Sequence, residues 1–493
     1  MSYSNQTDTI AAIATGLTES GIGIIRISGP NSYEIIQKLF VNGKGNLPSL
    51  EHSHRVHHGF VKNNVSRETL DEVLMLNMRG PHTYTGEDTV EIDCHGGVLM
   101  MRRILESVLQ AGARIAEPGE FTKRAFLNGR IDLSQAEAVI DLIEAKNDRA
   151  LKASLAQLKG SVSEAVKACR AAILEDTAYI EAALDDPEHI SLDGFSEKLR
   201  ADVEDVQAKL KRLISSAEEG KLLREGIYTV ILGKPNAGKS SLLNALLQED
   251  RAIVTNIAGT TRDTLEAGIQ LRGLNLNVVD TAGIRETGDE IERMGVERAL
   301  QAAERADLLI YVVDRSRPLD ESDQQILAFL RKSGKRCIVL MNKSDLESCV
   351  DEAQLRNLLQ ANEEGAADGN TQGVTSGEVE SFDTTKQPIA FLPISAKEGE
   401  GLEALGDEVE RLFLQGKLHW NDEVWITSLR QKEELMDAEK SLREVLHSLD
   451  LGIAEDFYTI DLMEAYRTLG LIVGEEADED LINEIFSKFC MGK

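Results

Sequence analysis

No run of about 18 consecutive apolar residues occurs in this 493-residue chain, so no segment is suited to cross a bilayer as a helix. The opening MSYSNQTDTI has no basic stretch followed by an apolar core, and no secretory signal is expected. Cysteine occurs five times (Cys94, Cys169, Cys337, Cys349 and Cys490), an odd number, widely scattered and without a C-x-x-C pair. That pattern argues against a disulfide framework and against a zinc site, and the chain reads as cytoplasmic. Positive charge is also short: 54 Lys and Arg face 84 Asp and Glu, a net charge of −30. A protein that grips nucleic acid unaided presents a basic face, because neutralising phosphates supplies much of the affinity. Any RNA substrate must therefore be held by a local basic patch or by a second protein.

What is present fits two to four domains of ordinary composition, with 42% hydrophobic and 28% charged residues. Residues 1–119 alternate β-like runs (Ile22 to Ile27, Thr89 to Asp93) with helical ones (Tyr33 to Phe40, Leu99 to Gln110), the texture of an α+β domain. Pro118-Gly119 marks a boundary. From 120 to 222 proline almost vanishes and apolar residues recur every three or four positions, a long-helix pattern broken at Pro187. From 223 to 415 strand–helix units alternate, the mark of a parallel α/β sheet, with strands expected at Tyr228–Leu232, Leu276–Val279, Leu308–Val313 and Cys337–Met341. The polar, glycine-rich segment 361–387 reads as an insertion loop. Helical texture returns over 416–493. The expected fold is thus an α/β domain inserted in a split helical bundle, preceded by an α+β domain. There is no internal repeat.

The run from Gly233 through Asn236, Ala237, Gly238, Lys239, Ser240 and Ser241 follows an expected strand and opens an expected helix. It is the phosphate-binding P-loop, G-x-x-x-x-G-K-S: glycines let N–H groups close on phosphates, Lys239 reaches them, and the Ser240 hydroxyl suits magnesium. Asp280, Thr281, Ala282 and Gly283 follow a strand where an aspartate can hold magnesium through water. Asn342, Lys343 and Asp345 follow another, where a carboxylate accepts both N–H bonds of guanine, as adenine cannot provide. Ser395, Ala396 and Lys397 complete a base loop. The ordered set specifies GTP. Thr261, in the loop from Thr255 to Asp263, is the expected second hydroxyl on magnesium, although such a loop can also be plain polar surface. Ile284 stands where many GTPases carry a water-orienting glutamine, so another group must activate water.

Further segments carry a family resemblance: Asp8-Thr-Ile-Ala11, Gly21 to Gly29 with Arg26, Thr85-Gly-Glu87-Asp88, His95-Gly-Gly97, Pro118 to Arg130, and the ending Phe489-Cys490-Met491-Gly492-Lys493. In this order, over essentially the whole chain, they resemble the tRNA-modification GTPase MnmE (TrmE) family. The resemblance implies a potassium ion in place of an arginine finger, held by Asn236, Thr255, Ile257 and Thr260. It implies Glu292 as the water-activating glutamate. On the residues alone, Asn236 could equally brace the loop and Glu292 could be a solvated helix residue. It further implies an N-terminal domain like folate-binding domains, holding 5-formyl- or methylene-tetrahydrofolate with Arg26, Glu87, Arg130 and Lys493. Glu87 would accept from the pterin and the arginines would attract the glutamate carboxylates; as a bare residue Glu87 could be a turn cap. Cys490 would handle substrate, although near-terminal cysteines are commonly small buried hydrophobes. The implied partners are a second copy of the chain, an FAD-dependent MnmG protein in a hetero-oligomer, and tRNA, with no membrane.

Two features tempt otherwise. His52, His54, His57 and His58 read as exposed imidazoles at a strand edge, since no carboxylate or cysteine completes a metal spacing. Asp185-Asp186 reads as a solvated helix end. The rival functions are a ribosome-assembly GTPase, which would carry an RNA-binding module, and a GTP-binding scaffold without turnover.

Overall fold

The computed structural model describes residues 8–47, 49–248, 266–279, 302–360, 389–414, 424–454, 456–489 and 492. They form two compact units, one of residues 1–144, 153–216 and 424–493, the other of 145–152 and 217–423. The 361–387 insertion lies outside the described residues.

In the first unit a seven-stranded sheet comes from β1 (Ile10–Ile13), β2 (Gly23–Ser28), β3 (Phe40–Asn42), β4 (Arg55–Lys62), β5 (Thr69–Met78), β6 (Thr89–Cys94) and β7 (Arg114–Ile115), in the order β3-β4-β5-β6-β2-β1-β7. All neighbours are antiparallel except β1 and β7. Side chains alternate across a strand, so each face has its own chemistry. Ile25, Ile27, Val73, Met75, Val90 and Ile92 build one apolar core with helices α1 (Ser32–Leu39) and α2 (Val98–Gln110). The opposite parity of β2 and β6 carries Arg26, Ser28, Thr89 and Glu91, with Arg26 and Ser28 registered against Glu91 and Thr89. Helix α3 (Glu120–Leu127) sets Phe121 against Ile10, Ala12 and Ala116 in a second, smaller apolar cluster. The two expected strands and two expected helices of this region are present within a residue or two of their expected ends. The β4–β5 hairpin, which the sequence reading did not mark, supplies the far half of the sheet. His57 and His58 lie on β4 opposite Met75 and Leu74 of β5, with His58 bonded to Glu72. Among the described residues no three His, Cys, Asp or Glu gather to hold a metal.

The helical part contains α4 (Leu133–Glu144), α5 (Asp148–Leu158), α6 (Ser161–Asp185) and α7 (Phe195–Glu225), then, after the α/β segment, α12 (Leu429–Leu451), α13 (Asp456–Val473) and α14 (Glu479–Ser487). The break at Pro187 falls between α6 and α7, and Asp185 and Asp186 are exposed at the end of α6. The two halves are joined by polar bonds that are buried or partly buried. Glu137 accepts from Arg430 Nη2 at 2.8 Å and from Gln431 at 2.5 Å, while the Thr427 hydroxyl donates to Asp141 at 2.6 Å. Gly119 precedes α3 at φ 69°, and a Cβ there would stand 2.5 Å from the Phe486 carbonyl oxygen, so glycine lets α14 approach. No described helix is long and apolar enough to cross a membrane.

The second unit holds the sheet β13-β12-β11-β8-β10-β9, from β8 (Ile227–Leu232), β9 (Glu266–Leu271), β10 (Leu274–Val279), β11 (Leu308–Asp314), β12 (Arg336–Asn342) and β13 (Ile389–Pro393). All pairs are parallel except β9–β10, a hairpin turned by Arg272 and Gly273, both at positive φ. Every residue of β11 is buried, as a central parallel strand demands. Helices α8 (Lys239–Gln248), α9 (Glu321–Ser333), α10 (Glu352–Gln360) and α11 (Leu402–Leu414) follow strands in turn. Helix α9 starts in a capping box between Asp320 and Asp323 and stops at Gly334 in the left-handed region. Residues 145–152 and 217–222 group with this unit, where Arg149 pairs with Glu410 and Asn147 donates to the Leu223 carbonyl. The fold is therefore an α/β P-loop domain inserted in a split helical bundle, after an α+β domain.

Glu137→Ala would leave Arg430 and Gln431 short of an acceptor in a site from which water is largely excluded. It should lower unfolding free energy by about 2–3 kcal/mol, read by denaturant titration of the full chain.

Candidate functional site

The carboxyl ends of parallel strands are where an open α/β sheet receives its ligand. The P-loop follows β8, the 342–345 run follows β12, and the 395–397 run follows β13, all at that edge. Gly233 (φ 149°) and Gly238 (φ 103°) take backbone conformations that side chains oppose. A Cβ on Gly233 would stand 2.4 Å from the Val312 carbonyl oxygen, and one on Gly238 2.0 Å from Asn342 Nδ2. Asn236 turns the loop at φ 62°. Lys239 Nζ donates to the carbonyls of Gly233 (2.6 Å) and Lys234 (2.8 Å), and Ser240 and Ser241 are exposed in the first turn of α8. The N–H groups and dipole of that turn suit an anion.

Asn342 does not reach outward. Its Nδ2 donates to the Ala237 carbonyl at 2.7 Å and its Oδ1 accepts from the Ala396 N–H at 3.0 Å, tying phosphate loop to base loop. Asp345, fully exposed, accepts from the Ser395 hydroxyl at 2.7 Å, and that bond holds its carboxyl below the usual range. Lys343 pairs with Asp314; burial pushes that carboxyl up, but the bonds from Lys343 and Ser316 outweigh it and hold it down. Lys397 is exposed beside Glu398.

The sequence reading missed the far anchor of the P-loop. Lys234 bonds Asp320 (2.8 Å) and Asp323 (2.6 Å), and buried Asp323 accepts from the Tyr311 hydroxyl at 2.7 Å. Burial and that carboxylate drive the Tyr311 hydroxyl far above its usual pKa, so it stays a donor. Thr255, Ile257, Thr260, Thr261, Asp280, Thr281, Ala282, Gly283, Glu292, Cys490 and Lys493 lie outside the described residues.

A second site lies on the polar face of the seven-stranded sheet. Arg26 Nε meets Glu91 at 2.7 Å, its Nη1 donates to the Gly492 carbonyl at 3.4 Å, and its Cζ stands 5.7 Å from the Tyr84 ring. Arg130 Cζ is 5.3 Å from the same ring. Gly492 (φ 90°) lies flush on β1, where a Cβ would stand 2.3 Å from the Ile13 carbonyl oxygen. Glu87 Oε2 accepts from Ser28 Oγ at 2.7 Å; with its proton so used, Ser28 Oγ accepts from Thr85 Oγ1 at 2.7 Å. Two of the residues expected to hold a folate, Arg26 and Arg130, thus stand at the Tyr84 ring, and a third, Glu87, bonds Ser28 two positions along β2 from Arg26. Arg26 also makes two protein contacts that the sequence did not foretell.

Arg124, another residue missed, lies beneath Glu87 and is 1% exposed. It bonds Asp8 at 2.7 Å, Glu120 at 3.0 Å and Glu87 at 3.1 Å, while Arg114 reaches Asp8 and Glu120 in turn. Burial raises the carboxyls of Asp8 and Glu120, and the two guanidiniums outweigh it and hold both below their usual values. His95, from the His95-Gly96-Gly97 run, bonds Asp71 through Nδ1 and through its backbone N–H. Arg130 also borders a cavity of about 590 Å³ shared with Gln135, Lys167, Glu475 and Glu476.

Residues 9–130 match the family model for the N-terminus of the GTP-binding protein TrmE, and residues 133–490 match that for the MnmE helical domain. A tRNA modification GTPase MnmE of Lachnoclostridium phytofermentans is 52% identical over 99% of this chain and 100% of its own length. The protein of that name from Acetivibrio thermocellus is 43% identical over 99% of each chain, and that from Geobacillus kaustophilus 42% identical, again over 99% of each.

Asp345→Asn would replace one of the two acceptors by a donor. GTP affinity should drop about 100-fold or more while xanthosine triphosphate, with an acceptor at that edge, regains binding, as competition with a fluorescent nucleotide would read. Because the bond from Ser395 holds the Asp345 carboxyl below the usual carboxylate range, wild-type guanine preference should persist down to about pH 5.

Proposed function

The chain belongs to the tRNA-modification GTPase MnmE family, and from that premise we propose that it is a potassium-activated GTPase acting with an FAD-dependent MnmG partner on tRNA. The pair adds an aminomethyl or carboxymethylaminomethyl group to the five-position of the wobble uridine. The carrying observation is that the nucleotide pocket and the Tyr84-centred cleft occur in one chain matching its relatives from end to end. GTP hydrolysis as such is the family's activity.

In the nucleotide site Lys239 and the N–H groups opening α8 hold the phosphates, and Asp345 with the 395–397 loop reads guanine. Magnesium would be held by Ser240 and Thr261, with Asp280 assisting. Potassium would be held by Asn236 together with Thr255, Ile257 and Thr260. Asn236, in the left-handed region and exposed, offers an oxygen at the loop's turn, which fits that part. Glu292 is the proposed base for the attacking water.

The donor set of the N-terminal cleft fits a folate: a carboxylate for the pterin N–H edge at Glu87, an aromatic wall at Tyr84, and guanidiniums of Arg26 and Arg130, with Lys493, for carboxylates. When bound, 5-formyl- or methylene-tetrahydrofolate supplies the one-carbon unit. Here the residues bind and orient, and Cys490 is the substrate-handling thiol of this reading. The chain works as a cytoplasmic homodimer through its N-terminal domain, with limits near 119, 222 and 415 for the three kinds of domain. The net charge of −30 supports leaving much of the tRNA contact to the partner.

Two measurements test this. GTP turnover should be at least about tenfold faster in potassium than in sodium, and equal rates would remove the potassium site. In nucleoside mass spectrometry of tRNA from cells lacking the protein, the five-substituted wobble uridines should vanish; their persistence would direct attention to ribosome assembly.

A further inference from the structure

Three carboxylates, Asp8, Glu87 and Glu120, share the two guanidiniums of Arg114 and Arg124, so one negative charge is left without a cation among the described residues. Its place follows from the geometry. Glu120 is 4% exposed and accepts from Arg114, from Arg124 and from the Glu117 N–H, which uses most of its lone pairs. Asp8 bonds both guanidiniums. Glu87 is the member met by one guanidinium alone, through Arg124 Nη1 at 3.1 and 3.3 Å, and it is 17% exposed. Its Oε1 keeps a lone pair after Arg124 is counted, while Oε2 is met by Ser28 at 2.7 Å and, at the longer 3.3 Å, by the same Arg124 nitrogen.

Arg124 can occupy a site this dry because its Nη2 is fixed by Asp8 and Glu120 before Nη1 meets Glu87. A planar guanidinium so clamped dictates the direction of the carboxylate it touches. A lone buried ion would be prohibitively costly, and an arginine that merely filled space would not carry the bond to the partly exposed acid.

We propose that Arg124 is a positioning residue: clamped by Asp8 and Glu120, it orients Glu87 to receive a ligand edge bearing two adjacent N–H donors. The inference rests on the folate reading of this cleft, since the 2-amino-4-oxo pterin edge is such a donor pair, and it names what aims the acid at that edge. Arg114 supports the clamp from its outer side and leaves Glu87 untouched.

The test titrates the full-length protein with 5-formyltetrahydrofolate and with the analogue lacking the 2-amino group, following heat of binding, alongside a melting curve of the ligand-free chain. Arg124→Lys keeps the charge and removes the fork. It should weaken the natural folate about tenfold or more, the worth of one lost charge-assisted bond, and the analogue less than about threefold. Glu120→Gln, which leaves Arg124 in place but loosens its clamp, should shift selectivity in the same direction and covers the case in which the lysine variant does not fold. Equal weakening of both ligands would show a merely structural arginine and overturn the proposal, as would unchanged binding of both. Failure of the wild type to bind either folate would overturn the folate reading and this proposal with it.

Discussion

A chain that leaves one fold to build another must come back to where it left, and the helical unit depends on that return. The Ile426 N–H donates to the Ser216 hydroxyl at 3.2 Å, so exit and re-entry are one hydrogen bond apart. The next residues finish the closure: Thr427 on Asp141 and Gln157, Arg430 and Gln431 on Glu137. These bonds sit between helices far apart in sequence, where apolar packing alone tolerates sliding. Directional polar bonds fix the register, and their burial makes a misplaced partner costly.

The same economy of buried charge recurs at both candidate sites. Lys234 is held by Asp320 and Asp323 at the start of α9, and Arg124 by Asp8 and Glu120 under Glu87. In each case a cation is compensated from behind, so the element in front is held still. A loop or an acid that is already immobile gives up less entropy on binding its ligand.

How much of this is legible in the sequence depends on how local the signal is. The P-loop, the 342–345 run and the 395–397 run are each short, contiguous and flanked by apolar strands, so spacing alone identifies them. Asn342 shows the limit: its motif marks a base-binding loop, but its two bonds go to Ala237 and Ala396, which only folding brings beside it. Arg124 sits among Lys123, Phe126 and Asn128 in a short amphipathic helix, where one more arginine looks solvated. Glu120 lies one turn back on the same helix, but Asp8 and Glu87 come from two separate segments that only folding brings beside it. The family resemblance turns Arg26 toward a ligand, and it does stand at the Tyr84 ring, yet Glu91 takes one edge of it because β2 and β6 register those two positions opposite each other. Strand register is set by the whole sheet, so no window of sequence contains it.

Asn342 makes the nucleotide site indivisible in the thermodynamic sense. One side chain answers to the carbonyl of a phosphate-binding loop and to the amide of a base-binding loop, so any free energy released by seating guanine is felt at the phosphates. By reciprocity the phosphates alter the hold on guanine by the same factor. A bare triphosphate and a bare guanosine, added together, would therefore not occupy this pocket independently, and the covalent nucleotide carries information that neither fragment does.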